Sequence, residues 1–209
     1  MRTSWLWLGL VGLCWQTPAA ERTFDFTDLP PDQPPPGFRS TVAGLGKPGD
    51  WKVVLDEVPS LLAPLTDKAP VVAKRAVLAQ LAQDMADEHF PMLVFEGETY
   101  GDFTLTTRFK MGSGIVEQMS GVAFRSHDEK NFYVIRASSL GNNLRFYKVV
   151  NGERGPLIGP EVEIPKGAWH ELTVECKGNQ IRCLLDGQER IPTLTDSSFA
   201  SGKIGFWTK

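Results

Sequence analysis

Apolar and polar residues alternate with a period of two along the C-terminal two thirds of the chain, which is the spacing of strands rather than helices. Phe103, Leu105, Thr107 and Phe109 fall on one face, and Thr104, Thr106 and Arg108 on the other. The same habit predicts strands over 92–96, 102–110, 121–126, 131–136, 143–150, 169–176, 180–185 and 203–207, with a short one at 51–56. Polar turn signals divide them about every eight to fifteen residues, among them Asn151-Gly152, Gly178-Asn179 and Asp186-Gly187. Many short strands joined this way predict an all-β chain, folded as an antiparallel β-sandwich or barrel. One stretch is ambiguous: 74–87 has helix-favouring composition, yet 76–81 also fits a strand.

The N-terminal third has another character. Glu21 to Asp50 carries Pro30, Pro31, Pro34, Pro35 and Pro36, which fix φ and remove donors, so an extended arm is expected there. Pro59, Pro64 and Pro70 interrupt the stretch that follows. Ahead of the arm, Arg2 precedes an apolar run from Trp5 to Trp15, and small residues lead to Ala20. That layout predicts a secretory signal cleaved after Ala20 and an exported protein, periplasmic or extracellular. The run is too short for a hydrocarbon layer of ~30 Å, so no permanent membrane span is expected. A lipid anchor on Cys14 is the rival reading, weakened by the bulky Leu13. The expected division is thus a signal at 1–20, an arm with short strands at 21–73 and a sandwich at 74–209.

Composition narrows the function classes. With 42% hydrophobic and 22% charged residues, 20 Gly and 15 Pro, the chain is neither coiled coil, collagen-like nor wholly disordered. Its formal net charge is -3. Without a basic excess, no nucleic-acid partner is expected. Removing the first twenty residues leaves two cysteines, Cys176 and Cys183, flanking Gly178-Asn179. A two-residue turn there pairs 176 with 181 and puts 183 two residues along on the same face. A slipped register sets the two cysteines opposite each other. A cross-strand disulfide and a pair of small buried hydrophobes both remain open.

The familiar catalytic signatures are missing. Gly44-Leu45-Gly46-Lys47-Pro48-Gly49 matches a dinucleotide fingerprint by letter but precedes a strand, not a helix. There is no G-x-S-x-G, no C-x-x-C and no H-E-x-x-H, and the sequence specifies no metal site. His89, His127 and His170 are far apart. The acidic alternation Glu161-Val162-Glu163 sits between prolines and reads as a solvated edge rather than a carboxylate pair. What remains is a polar and aromatic set on the long strands: Arg108, Gln118, Arg125, Tyr133, Arg136, Asn143, Arg145 and Tyr147. Sugars are polyols with apolar ring faces, so aromatic platforms beside Arg, Asn and Gln suit them. A carbohydrate partner on a concave sheet is therefore expected, with Arg125, Tyr133, Arg136, Asn143 and Arg145 as ligand-binding candidates. An ordinary polar outer face is the competing explanation.

Several segments resemble one known group. They are Gly101-Asp102-Phe103-Thr104-Leu105, Gly121-Val122-Ala123-Phe124-Arg125, Trp169-His170-Glu171-Leu172-Thr173-Val174, Ile181 to Gly187 and Gly202 to Thr208. Together they resemble the laminin-G-like, concanavalin A-like jelly rolls of exported bacterial proteins, and most of all the 3-keto-disaccharide hydrolase domains. The resemblance implies a strand rather than a helix over 76–81. It implies an exported module that recognises a saccharide, with hydrolysis of 3-keto-disaccharides and a non-catalytic cell-envelope interaction module, with a protein partner, as the alternatives. Under the hydrolytic reading, Glu117 or His127 is the proton-transfer candidate. No cofactor is expected, calcium entering only through the resemblance. Such domains continue past Gly-Phe-Trp-Thr-Lys with one more strand, so a sandwich lacking its last strand, with an unpaired edge, is also expected.

Overall fold

The computed structural model describes residues 20–60, 66, 72–114 and 116–209. The expected export signal, with Cys14, lies outside the described residues. Among those residues there is no helix. The strands are β1 (Phe38–Gly44), β2 (Trp51–Pro59), β3 (Val72–Gln80), β4 (His89–Phe95), β5 (Phe103–Lys110), β6 (Met119–Asp128) and β7 (Asn131–Ser138). They continue with β8 (Asn143–Val150), β9 (Glu153–Arg154), β10 (Trp169–Lys177), β11 (Gln180–Leu185), β12 (Gln188–Thr195) and β13 (Lys203–Thr208). Seven of them form one sheet in the order β1-β4-β13-β6-β7-β8-β9, four form a second in the order β12-β11-β10-β5, and β2 pairs with β3. The chain is an all-β antiparallel sandwich of the concanavalin A-like, jelly-roll kind.

Alternation builds the layer between the sheets. Phe124, Tyr133, Ile135, Leu144 and Phe146 from the large sheet meet Phe109, Leu172, Val174, Ile181 and Leu185 from the small one. Burying such side chains contributes about 1.5–3 kcal/mol each. In the stretch 74–87, where composition favours helix, β3 forms instead as the hydrogen-bonded partner of β2. β2 and β3 run antiparallel from Trp51↔Gln80 to Pro59↔Val72.

Three strands were not foreseen. β1 and β12 lie at sheet edges, and β9 has only two residues. Pro192 explains the obscurity of β12: the register shifts between Ile181 and Cys183, opposite that stretch of the strand, where an edge bulge tolerates a missing donor. The arm is part of the fold. β1 pairs along β4, Phe24 packs 4.8 Å from Phe95, and Val53 exchanges hydrogen bonds with Asp32 and Gln33. A boundary at 73/74 would thus cut through β3. The last strand, β13, is hydrogen-bonded to β4 on one side and β6 on the other.

Cys176 stands opposite Ile181 and Cys183 opposite Val174, so the cysteines are diagonal neighbours on the inner face. They are two free thiols, which corrects the disulfide alternative. Burial pushes Cys176 up to about 11 and Cys183 up to about 12, keeping both protonated and unreactive.

Tyr133 also corrects a sequence expectation. It is fully buried between the sheets, donates to Asp196 Oδ1 at 2.5 Å and accepts from Phe199 N at 3.1 Å, so it is unavailable to a ligand. Burial, followed by the neighbouring Asp196, pushes its phenol up to about 12. Burial alone would raise Asp196, but Lys148, Tyr133 and Ser198 hold it well below the usual carboxylate range. A depressed carboxylate contributes stability above its unfolded value of 3.8, lost as pH falls. A raised phenol contributes stability below 10.0, lost as pH climbs towards about 12. The melting temperature of the wild type should therefore be level between these limits and fall beyond both. Asp196→Asn should flatten the acid limb and lower mid-range stability by about 1–2 kcal/mol. An acid limb equally steep in Asp196→Asn would refute the assignment.

Candidate functional site

The second face of the large sheet carries its own apolar cluster, in which Met92, Val94, Ala123, Val134, Tyr147 and Trp207 are buried. This face curls inward. Glu129, in the β6–β7 turn, bonds Thr41 Oγ1 at 2.8 Å and Arg39 at 2.7 Å, although β4 and β13 separate β1 from β6. Three strand steps in a flat sheet span about 14 Å, more than a Thr and a Glu side chain can bridge. Arg39 and Thr41 share the register of Ala43, so the closure crosses the outer side of the sheet.

At the opposite end of this concave face lies a cavity of about 190 Å³. Its apolar wall is Phe90, Met119 and Trp207, with the Phe90 and Trp207 rings stacked at 5.1 Å. Tyr147 and Arg154 close one side, while Asp87, Glu88, Glu117 and Lys209 complete the rim. Pairing with Met119 fixes the Lys209 backbone, and its ammonium stands 5.4 Å from the Phe90 ring centre and is ion-paired with Asp87. Glu117 is half-buried beside Gln118, whose amide donates to Gly114 O at 3.0 Å and accepts from Ser139 Oγ at 2.8 Å. The loop carrying Glu117 is thereby tied to the β7–β8 turn.

Behind Tyr147 lies Arg136. It faces Arg145 across the β7–β8 ladder, with Asn143 and Tyr147 as diagonal neighbours on the same face. Its guanidinium donates to Asn143 Oδ1 and, at 2.5 Å, to the Tyr147 hydroxyl. Burial pushes it below the usual arginine value, opposed by the nearby Tyr147 and Glu117. Gly121 makes room: a Cβ there would sit 2.7 Å from Arg136 Cα.

The sequence candidates therefore separate. Glu117 lines the cavity, Arg136 and Asn143 support it from behind, and Arg145 is held along the same strand by Gly159 O and Glu161. Arg125 is not on this face, because a bulge in β6 with φ 45 at Arg125 turns the side chain inward, where it is fully buried. His127 is remote from the cavity, bonded to Ser201 O at 3.0 Å and packed against Phe199. Tyr147 belonged to the polar and aromatic set but not to the five ligand candidates. Asp87, Glu88, Phe90, Arg154, Trp207 and Lys209 were missed, since no local motif joins segments so distant in sequence. Among the described residues no group of three or more His, Cys, Asp or Glu could hold a metal ion. Nor is any helix among them long and apolar enough to cross a membrane.

Comparison with solved structures finds this fold elsewhere. The carbohydrate binding module CBM66 from Bacillus subtilis superposes with a TM-score of 0.54 at 17% identity, covering 75% of this chain and 86% of that one. A Bacillus subtilis protein of unknown function with a galectin-like fold gives 0.47 at 11% identity, over 76% and 82% of the two chains. A β-glucanase from Bacillus licheniformis gives 0.42 at 14%, over 60% and 63%. No curated protein matches the chain. At these identities the likeness concerns the fold alone. The family is shown by sequence: the model of the 3-keto-alpha-glucoside-1,2-lyase-like domain matches residues 49–207, most of the chain, which therefore belongs to that family.

Proposed function

We propose that the concave face binds a 3-keto-glucoside in the Tyr147–Trp207 cavity and opens its glycosidic bond by elimination across C1 and C2. The observation that carries this is one cavity holding an apolar wall, two cations and a half-buried carboxylate, Glu117, in a chain of this family. A ketone at C3 acidifies the hydrogen on C2, so a single base can begin the cleavage. Glu117 is that base. Asp87 is spent on Lys209 and almost wholly exposed, which makes it a poor one. Lys209 and Arg154 face the negative charge that grows on the ketone oxygen as the proton leaves. Phe90 and Trp207 receive the apolar face of the ring. Water does not enter the bond-breaking step, so this chemistry differs from hydrolysis by paired carboxylates. The N-terminal segment read as an export signal would place the reaction outside the cytoplasm.

The test is incubation of the full chain with methyl 3-keto-α-glucoside, followed by ultraviolet absorption of the conjugated enone and by calorimetry. Enone formation at a rate proportional to enzyme is expected. Heat of binding without product would reduce the site to a recognition module, and neither signal would overturn the proposal.

A further inference from the structure

Tyr147 borders the cavity with its hydroxyl already engaged from behind. A phenol oxygen has one O–H and two lone pairs. Arg136 Nη2 occupies a lone pair at 2.5 Å, and no protein acceptor among the described residues takes the O–H, which leaves it for whatever fills the cavity. The donor behind it is fixed in turn. Arg136 Nη1 donates to Asn143 Oδ1, Asn143 Nδ2 donates to Gly141 O at 2.8 Å, and Gly141 N donates to Ser138 Oγ at 2.9 Å. Arg136 Nε is buried without a partner, so the guanidinium is held by Asn143 and Tyr147 alone. Two cations attend the ring: the guanidinium carbons of Arg136 and Arg154 lie 5.4 and 5.3 Å from its centre. A chain of hydrogen bonds running from a turn to one phenol is more than packing requires, and an aromatic platform alone would not need it.

We propose that Tyr147 is the acid that protonates the departing aglycone, with Arg136 as its positioning residue; the assignment rests on the elimination described above. The step balances. Glu117 removes the C2 hydrogen as a proton, leaving an enolate whose electrons re-form the C3 ketone and make the C1=C2 bond. The C1–O bond breaks with its electron pair on the aglycone oxygen, which takes the Tyr147 proton. Water returns a proton to the phenolate beside the two guanidiniums, Glu117 gives its own proton to water, and nothing is oxidised or reduced overall.

Leaving-group dependence tests this. A nitrophenol departs without help, whereas methanol needs an acid. The wild type should therefore release 4-nitrophenyl, phenyl and methyl aglycones from 3-keto-α-glucosides with a shallow dependence of rate on leaving-group basicity. Tyr147→Phe should slow methyl release by about 10²–10⁴ and nitrophenol release by less than about tenfold, while exchange of the C2 hydrogen with D2O continues. Arg136→Lys should show the same steepening in weaker form. Replacing Tyr147 by 3,5-difluorotyrosine, which keeps the shape and acidifies the phenol, should move the alkaline limb of the rate profile to lower pH. Equal slowing for all three aglycones in Tyr147→Phe, or an unmoved alkaline limb with the fluorinated residue, would overturn the assignment while leaving the elimination intact. Failure of the wild type on all three glycosides would overturn both.

Discussion

Arg125→Met should cost about 3–5 kcal/mol of stability and lower the melting temperature by roughly 10–15 °C, while sugar binding at temperatures where the variant is folded stays as in the wild type. The side chain is fully buried and its guanidinium ties three loops together. Nε and Nη2 donate to Gly101 O at 3.2 and 2.9 Å, Nη1 donates to Phe199 O at 3.1 Å and Nη2 donates to Gly178 O at 2.7 Å. Those carbonyls belong to the entrance to β5, the β10–β11 turn and the approach to β13. Methionine fills a similar volume but satisfies none of them, and each orphaned buried acceptor costs about 1–3 kcal/mol. Lysine restores a charge without the planar fork, so Arg125→Lys should recover only part of the loss. Thermal melts settle the magnitude. A methionine variant within about 1 kcal/mol of wild type would refute the clamp, and lost sugar binding at unchanged stability would return Arg125 to the ligand role its sequence context suggested.

That reversal shows where sequence reading runs out. Alternation located the strands because each must present one face to the inter-sheet layer, and from β5 to β13 it missed only β9 and β12. It also contained a distinction that went unused. Tyr133 and Arg136 are three residues apart on β7, so a period of two puts them on opposite faces; the structure has Tyr133 in the inter-sheet core and Arg136 beside Tyr147. Arg125 was not legible in this way. By alternation it shares the outer face of Ala123, and only the bulge between Phe124 and Asp128 re-aims it. Bulges depend on how two strands end, which no local pattern states. The cavity was illegible for a related reason. Its wall comes from β4, β13, β6 and β8, whose adjacency is set by the strand order and not by proximity in the chain. Glu117 was named on fold resemblance alone, and what recommends it now is that topology brings it to Tyr147 and Lys209.

Glu117→Gln should reduce turnover of a 3-keto-glucoside by about 10²–10⁴ while changing affinity only a few-fold and leaving the melting temperature within a degree or two. The amide matches the carboxylate in size and can still accept a hydrogen bond from a sugar hydroxyl, but it cannot take a proton from carbon. Stability should be indifferent because the loop is anchored by its neighbour Gln118, through Gly114 and Ser139, and not by Glu117. Two controls sharpen the result. Asp87→Asn removes another carboxylate from the same rim, yet that side chain is almost wholly exposed and paired with Lys209, so its effect should be small. Exchange of the C2 hydrogen with D2O should vanish in Glu117→Gln, because no base remains to form the enolate. A variant that keeps turnover within about tenfold of wild type, or that still exchanges the C2 hydrogen, would remove Glu117 from the chemistry and leave the cavity a saccharide cradle without its base.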